Sequence, residues 1–206
     1  MHPTPQPVID HLVTVLNYLH PLSQPVIDFL TRNVSKKKCT KGDLLLNAGN
    51  VCEEVYFIEK GVIRGYINDN GRDITTWISC ESELVTSIYS LDLNVPALEN
   101  IQAIEDCELL CMSTAALQEL YITHLEFNIV GRKLLQRYYR DAEARAFITR
   151  IAKAEDKYEH FLDIYNHLAN RVLLKYIASF LGITIETLSR VRSKYAVKKS
   201  ERILIN

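Results

Sequence analysis

The chain has 206 residues, with 24 Lys and Arg against 25 Asp and Glu and a formal net charge of −1 at pH 7. At 48% apolar and 24% charged residues its composition is ordinary for a globular protein, and it is long enough for one large or two small domains around a sizeable core. No apolar run reaches the roughly 18 residues of a membrane span. The opening MHPTPQPVIDHL has neither a basic start nor an apolar stretch, which predicts no secretory signal, no membrane contact and a cytoplasmic protein.

Up to about Ser35 the chain reads as two helices, near Val8 to Leu19 and Gln24 to Asn33, interrupted by Pro21 and Pro25. Lys36-Lys37-Lys38 is expected to be a solvated turn. From Cys39 the period changes. KGDLLLNAGN, EEVYFIEKGVIRGYI, DITTWIS and NIQAIEDCELLCMS are short runs rich in β-branched, aromatic and Leu residues. Lys41-Gly42-Asp43, Ala48-Gly49-Asn50, Lys60-Gly61 and Asn68-Asp69-Asn70-Gly71 separate them as turns. Regularly spaced short strands of this kind predict a β-sandwich or β-roll. Ser82 to Asn100 breaks the regularity and reads as a short helical turn and a loop. Cys39, Cys52, Cys80, Cys107 and Cys111 include no CxxC pair, and the six histidines no HxxxH or HExxH. Free thiols and no metal or iron–sulfur site are therefore expected.

From Ser113 the pattern is helical again. A short helix is predicted over Ala115 to Tyr121 and a long one near Glu126 to Thr149. Along the long helix Phe127, Val130, Leu134, Tyr138 and Ala142 form one apolar stripe, with Arg132, Lys133, Arg137, Arg140, Glu143 and Arg145 over much of the remainder. A helix this long between two compact regions has few ways to bury such a stripe. Packing against its own copy in a dimer is the simplest, and packing on the β domain is the alternative. Ala154 to Tyr165 reads as another amphipathic helix.

Leu174 to Tyr195, LKYIASFLGITIETLSRVRSKY, has the spacing of a helix-turn-helix. Ile177, Ala178 and Leu181 share one face of the first helix, and Gly182 stands where a sharp turn needs a residue tolerant of positive φ. Thr184 can cap the second helix, and Leu188, Val191 and Tyr195 then face inward. Glu186, Ser189, Arg190 and Ser193 are left for the outer face. An ordinary helical hairpin with a solvated face fits the same spacing. From Arg190 to Asn206, six cations stand against Glu201 alone, which points to phosphate contact or to a solvated tail.

Across nearly its full length the chain resembles transcriptional regulators of the Crp/Fnr family, especially those with a short C-terminal domain. KGDLLLNAGN followed by VYFIEKGVIRGYI is similar to that family's opening β-roll strands. IQAIEDCELLCMS is similar to the strand pair leaving its ligand pocket, and ANRVLLKYIASFLGITIETLSRVRSK to its DNA-binding segment. The resemblance implies a homodimer joined by the long helix, with two recognition helices reading a near-palindromic site in double-stranded DNA and RNA polymerase as a further partner. The readings together give an α+β protein. An N-terminal double-stranded β-roll like a cyclic-nucleotide-binding domain, with its leading helices, is expected over residues 1–125. A long dimerisation helix over 126–149 and a C-terminal winged helix-turn-helix domain over 150–206 follow.

The ligand pocket is where the sequence departs from the family. Members that bind cyclic nucleotides carry a Gly-Glu pair and, further on, an Arg followed by Ser or Thr, because the phosphate needs a cation and the ribose an acceptor. Here the counterpart of Gly-Glu is Ser82-Glu83, no arginine occurs from Ile74 to Gly131, and the equivalent loop carries Leu98-Glu99-Asn100. No cyclic-nucleotide binding is therefore expected. The iron–sulfur branch needs an N-terminal cysteine cluster, which residues 1–38 lack; no particular His or Cys argues for haem. An unrecognised small effector would sit near Glu83, Thr86, Ser87, Tyr89, Ser90, Glu99 and Asn100, although those hydroxyls also serve as loop caps.

Arg190 and Glu186 are the main candidates for reading bases. Arg190 can bond guanine O6 and N7, and Glu186 can accept from cytosine N4. A surface ion pair between them is the plainer alternative. Thr187 and Ser189 are secondary. Ile185 stands where the family often has another Arg, which shifts the expected preference toward a thymine methyl. Lys175, Arg192, Ser193 and Lys194 are phosphate-contact candidates. The expected function is thus a sequence-specific regulator. The alternative is a small-molecule sensor whose C-terminal domain contacts a protein. No GxSxG, P-loop, HExxH or paired-carboxylate motif supports an enzyme.

Overall fold

The computed structural model describes residues 8–204, with side chains through Tyr195. Two helices lead, α1 (Asp10–Leu19) and α2 (Gln24–Asn33). Leu12 and Leu16 recur four apart on α1, and Val26, Phe29 and Leu30 lie on one side of α2, so each helix buries one stripe. Both stripes enter a core shared with Val55, Phe57 and Leu110.

Eight strands follow: β1 (Ser35–Cys39), β2 (Leu44–Leu46), β3 (Glu54–Lys60), β4 (Ile63–Asp69), β5 (Arg72–Ser79), β6 (Leu84–Val85), β7 (Asn100–Ala103) and β8 (Cys107–Ser113). They form two four-stranded sheets ordered β1-β8-β3-β6 and β2-β7-β4-β5. Val55 to Ile58 on β3 are buried without alternation, because core packs on both faces of that strand. Gly61 turns β3 into β4 at φ 107°, and a Cβ there would sit 2.5 Å from Cys107 Sγ, so only glycine fits.

Lys36-Lys37-Lys38 is a strand and not the expected turn. It pairs antiparallel with β8, Lys37 opposite Leu109. Lys36 and Lys38 point to solvent while Lys37 bonds Glu54 Oε2 at 2.8 Å. Lysines on an edge strand discourage further strand pairing, which explains a strand with no apolar alternation.

The short helix α3 (Ile88–Leu93) interrupts the sheets, and α4 (Thr114–Thr123) and the long α5 (Phe127–Arg150) follow β8. On α5 the predicted stripe is turned onto the chain's own core. Phe127 and Val130 are 3% and 0% exposed, Leu134 packs against the same cluster, and the Tyr138 hydroxyl donates to the Leu84 carbonyl. Phe127 and Val130 are thus unavailable to a second copy, which corrects their assignment to a dimer face. The helical period was right; α1, α2 and α4 supply the surface that the stripe covers. Leu135 and Tyr139 are the apolar residues α5 leaves exposed nearby, with Ala142 also exposed.

The C-terminal helices are α6 (Ala154–Tyr165), a 3-10 turn (Asn166–Leu168), α7 (Leu174–Leu181) and α8 (Ile185–Leu204). No wing is present among the described residues. KYAVKKSERIL contains no Gly or Pro to end a helix, so α8 continues to Leu204. The described residues fall into two compact units. One runs to Ile67 and resumes from Ile78 to Tyr139. The other joins Asn68–Trp77, the tip of the β4–β5 hairpin, to the chain from Arg140 onward. Among the described residues no helix is long and apolar enough to cross a membrane.

Candidate nucleic-acid interface

The α7–α8 corner is locked by three local devices. Gly182 closes α7 at φ 64°, and the N–H of Ile183 returns to Ala178 O at 3.0 Å, the double turn-back that satisfies a helix's last carbonyls. Thr184 caps α8, its Oγ1 accepting from Thr187 N at 3.2 Å. Lys157 on α6 is 7% exposed and donates from Nζ to Leu181 O at 2.8 Å, placing a cation at the negative end of α7. Behind the corner, Ile177, Ala178, Leu181, Leu188 and Val191 are buried, and Phe161, Tyr165 and Phe180 meet at centroid distances of 5.3–5.8 Å.

Lys157 was not legible as functional in the sequence. It stands four residues before buried Phe161, on the apolar face of α6, and that misplaced charge was the available signal.

This core fixes which side chains α8 presents. Ile185, Glu186, Ser189, Arg190, Ser193 and Lys194 are exposed, and Thr187 is half-buried. Among the described residues Glu186 and Arg190 make no ion pair with each other; the Arg190 guanidinium lies 3.5 Å from Thr187 Oγ1. Hydrogen bonds from its own backbone N–H and from Thr184, with Arg190 nearby, hold the Glu186 carboxyl below its ordinary value. A guanidinium fork and an acceptor-only carboxylate therefore stand exposed on the first turns of a capped helix, without an ion pair between them.

The other candidates are more committed. Arg192 donates to Asn170 Oδ1 at 3.2 Å, Ser193 Oγ to Ser189 O at 3.1 Å, and Lys194 pairs with Glu155 at 3.2 Å. Lys175, on α7, is exposed with its Nζ 4.9 Å from the Tyr176 ring centroid. Within the basic tail, the side chains of Lys198, Lys199 and Arg202 lie outside the described residues.

The candidate ligand-pocket residues are largely taken up by the roll itself. Ser90 Oγ accepts from Cys52 N at 2.8 Å and donates to Val95 O at 2.6 Å. Thr86 Oγ1 donates to Glu54 O at 3.3 Å, and Asn100 Oδ1 accepts from Ala48 N at 2.9 Å. Glu83 lies 3.7 Å from Arg137 of α5, Tyr89 is exposed and Glu99 is half-buried. Ser87 is buried, and its hydroxyl has no partner among the described residues. Ser82, in the place of the family's glycine, holds φ 70° and meets His11 Nε2 at 2.9 Å.

Two charged groups of the sheets went unnoticed in the sequence. Arg64, 2% exposed, bonds Gln102 Oε1 through Nε and Nη2 at 3.0 and 2.8 Å. Its guanidinium carbon sits 3.9 Å from the Tyr66 ring centroid. Glu54 accepts from Lys37 and from the Tyr56 hydroxyl at 2.8 and 2.7 Å. Burial raises the Glu54 carboxyl, but those bonds outweigh it and hold the group below its ordinary value. All five cysteines are buried and free, and burial pushes the Cys107 thiol up to about 11.

Residues 36–124 match the family described as Cyclic nucleotide-binding domain. No curated protein is detectably similar in sequence to the chain. Among solved structures, FixK2 from Bradyrhizobium japonicum shares 19% identity at a TM-score of 0.67, over 81% of this chain and 86% of its own. The c-di-GMP responsive global regulator CLP of Xanthomonas campestris shares 17% identity at 0.65, over 86% and 93%. A transcriptional regulator assigned to the crp/fnr family from Eubacterium rectale shares 15% at 0.71, over 90% and 88%. At these identities the likeness establishes the fold alone: a cyclic-nucleotide-binding-type β-roll followed by helices arranged as in those structures.

Proposed function

From a chain with the Crp/Fnr regulator fold and a cyclic nucleotide-binding domain, we propose a sequence-specific DNA-binding transcriptional regulator that acts as a homodimer without a cyclic nucleotide. The observation that carries this reading is the first two turns of α8. There Glu186, Ser189 and Arg190 stand exposed on a helix whose start is capped and whose opposite face is buried. An α-helix so presented fits a major groove, where Arg190 reads guanine and Glu186 reads cytosine. Ile185, 46% exposed, is placed for apolar contact with a thymine methyl.

The exposed side of α5 supports the dimer. A pair of DNA half-sites needs a two-fold related pair of reading helices, and Leu135, Tyr139 and Ala142 provide an exposed apolar face for the second copy. CLP responds to c-di-GMP, so the fold can host an anionic effector. In this chain neither Arg nor Lys occurs from Ile74 to Gly131, and Glu83 faces Arg137. A cyclic phosphate would meet no cation from that segment, so the reading excludes cyclic AMP and cyclic GMP as effectors.

The test is selection of purified protein on a randomised duplex library at two salt concentrations, with no effector. Enrichment of a two-fold-symmetric motif, with affinity falling steeply as salt rises, is the expected result. Salt-insensitive binding without a motif would contradict it. Micromolar binding of cyclic AMP or cyclic GMP by calorimetry would overturn the effector-free part.

A further inference from the structure

We propose that the tip of the β4–β5 hairpin is a second part of the nucleic-acid surface, on which Arg72 binds a DNA backbone phosphate beside Lys175. The proposal rests on the DNA-binding reading above and adds to it a contact from outside the helix-turn-helix.

The tip is tightly turned and bonded within itself and to α7. Asn70 and Gly71 hold φ 52° and 84°, the two positive values of a tight hairpin turn. The Asn68 amide closes the tip, its Oδ1 accepting from Gly71 N at 3.0 Å and its Nδ2 donating to Asp73 Oδ1 at 3.2 Å. Arg72 is the first residue after this turn. β5 is the outer strand of its sheet, so its outward backbone groups lack a strand neighbour and template further pairing unless something covers them. Ser179 of α7 covers two. Its Oγ accepts from Thr75 N at 2.9 Å and donates to Asp73 O at 2.9 Å. These groups, two residues apart on the same side of an extended strand, are the ones a single residue of a neighbouring parallel strand would engage. One hydroxyl thus docks the hairpin tip along the first helix of the helix-turn-helix.

The docking creates a cleft of about 270 Å³, lined by Arg72 and Asp73 from the hairpin and by Lys175, Ser179, Thr184 and Glu186 from the corner. Arg72 therefore shares a surface with the start of α8. It is exposed and, among the described residues, makes no ion pair. Asp73 and Glu186 offset the two cations, so the cleft has no net charge to capture a free anion. A duplex already held by α8 is different. It presents its backbone at high effective concentration, and one further exposed guanidinium is then enough to take up a phosphate. The partner is accordingly a duplex backbone and not a small anionic ligand.

The experiment compares wild type, R72A and S179A on the duplex enriched by wild type, measuring affinity across a salt series together with base preference. R72A is expected to bind about five- to tenfold more weakly near 0.1 M salt, with the salt slope reduced by about one and base preference unchanged, as loss of one phosphate contact requires. S179A removes two bonds between the tip and α7 and is expected to show the same reduced slope, with little added loss in the double variant because the two residues act as one unit. Unchanged affinity and slope in R72A would overturn the inference, and tighter binding would do the same by making the hairpin a cover over α8. If S179A fails to fold, exposed R72A still decides the question. A wild type that enriches no duplex sinks the DNA-binding reading and this inference together, whereas a binding wild type with an indifferent R72A sinks this inference alone.

Discussion

The β-roll and the helix-turn-helix corner both carry hydroxyls, amides and carboxylates, but they use them differently. In the roll the polar groups are consumed internally: Ser90 bridges Cys52 N and Val95 O, Asn100 holds Ala48 N, and Glu54 joins Lys37 to Tyr56. At the corner Thr184, Gly182 and Lys157 serve the helix ends, and Ser179, Arg192 and Lys194 have partners, while Glu186, Ser189 and Arg190 stay exposed. Bonds spent inside the protein contribute stability, and bonding capacity left at the surface serves recognition. Substitutions in the two regions should therefore separate into effects on melting and effects on DNA.

The largest expected effect is in the roll. Ser90→Ala leaves a buried N–H and a half-buried carbonyl without this partner, at about 1–3 kcal/mol each. A loss of about 2–4 kcal/mol in denaturant unfolding is expected, with base preference intact in the surviving folded protein. A change in preference without loss of stability would break the division. Lys157→Met is expected to cost about 1–3 kcal/mol by removing the donor to Leu181 O. It should weaken binding to all sequences alike, since it loosens the corner without touching a base; a loss confined to one base pair would show that Lys157 does more than hold the corner.

Smaller effects sharpen the contrast. Arg137→Ala removes a part-exposed pair with Glu83 and is expected to cost no more than about 1 kcal/mol after solvent screening. A larger loss would mean that α5 depends on this pair. For Glu54 the sign follows from its lowered value. The carboxylate is favoured in the folded state, so its contribution is complete above the ordinary value of 4.5 and is lost as pH falls through the lower folded value. In acid titrations of unfolding, Glu54→Gln should flatten this part of the pH dependence; an unaltered acid limb would contradict the assignment.

Much of the architecture was legible because its signals are local. Gln24–Asn33 and Ala154–Tyr165 match their predicted bounds, since prolines or a clear apolar stripe define them. The turn at Gly182 and the cap at Thr184 were readable for the same reason: each depends on a residue's own backbone freedom or hydroxyl. What the sequence hid depends on partners distant in the chain. Lys36 to Lys38 form a strand only because β8 lies beside them. The stripe at Phe127 and Val130 has the right period for burial, but periodicity does not name the surface that covers it. Nor did anything near Ser179 announce that its hydroxyl would meet Asp73 and Thr75, more than a hundred residues earlier. On α8 the sequence identified the residue types that can read bases, and the structure adds that Arg192 and Lys194 already have partners while Glu186 and Arg190 do not pair with each other.

The most direct test of the central claim is the base preference of Arg190→Ala, measured position by position on the motif enriched by wild type. The account predicts a loss of about 1–3 kcal/mol with relaxed specificity at one symmetric pair of positions, and a melting temperature unchanged because Arg190 is exposed. An unaltered motif and affinity would show that α8 does not read DNA through Arg190.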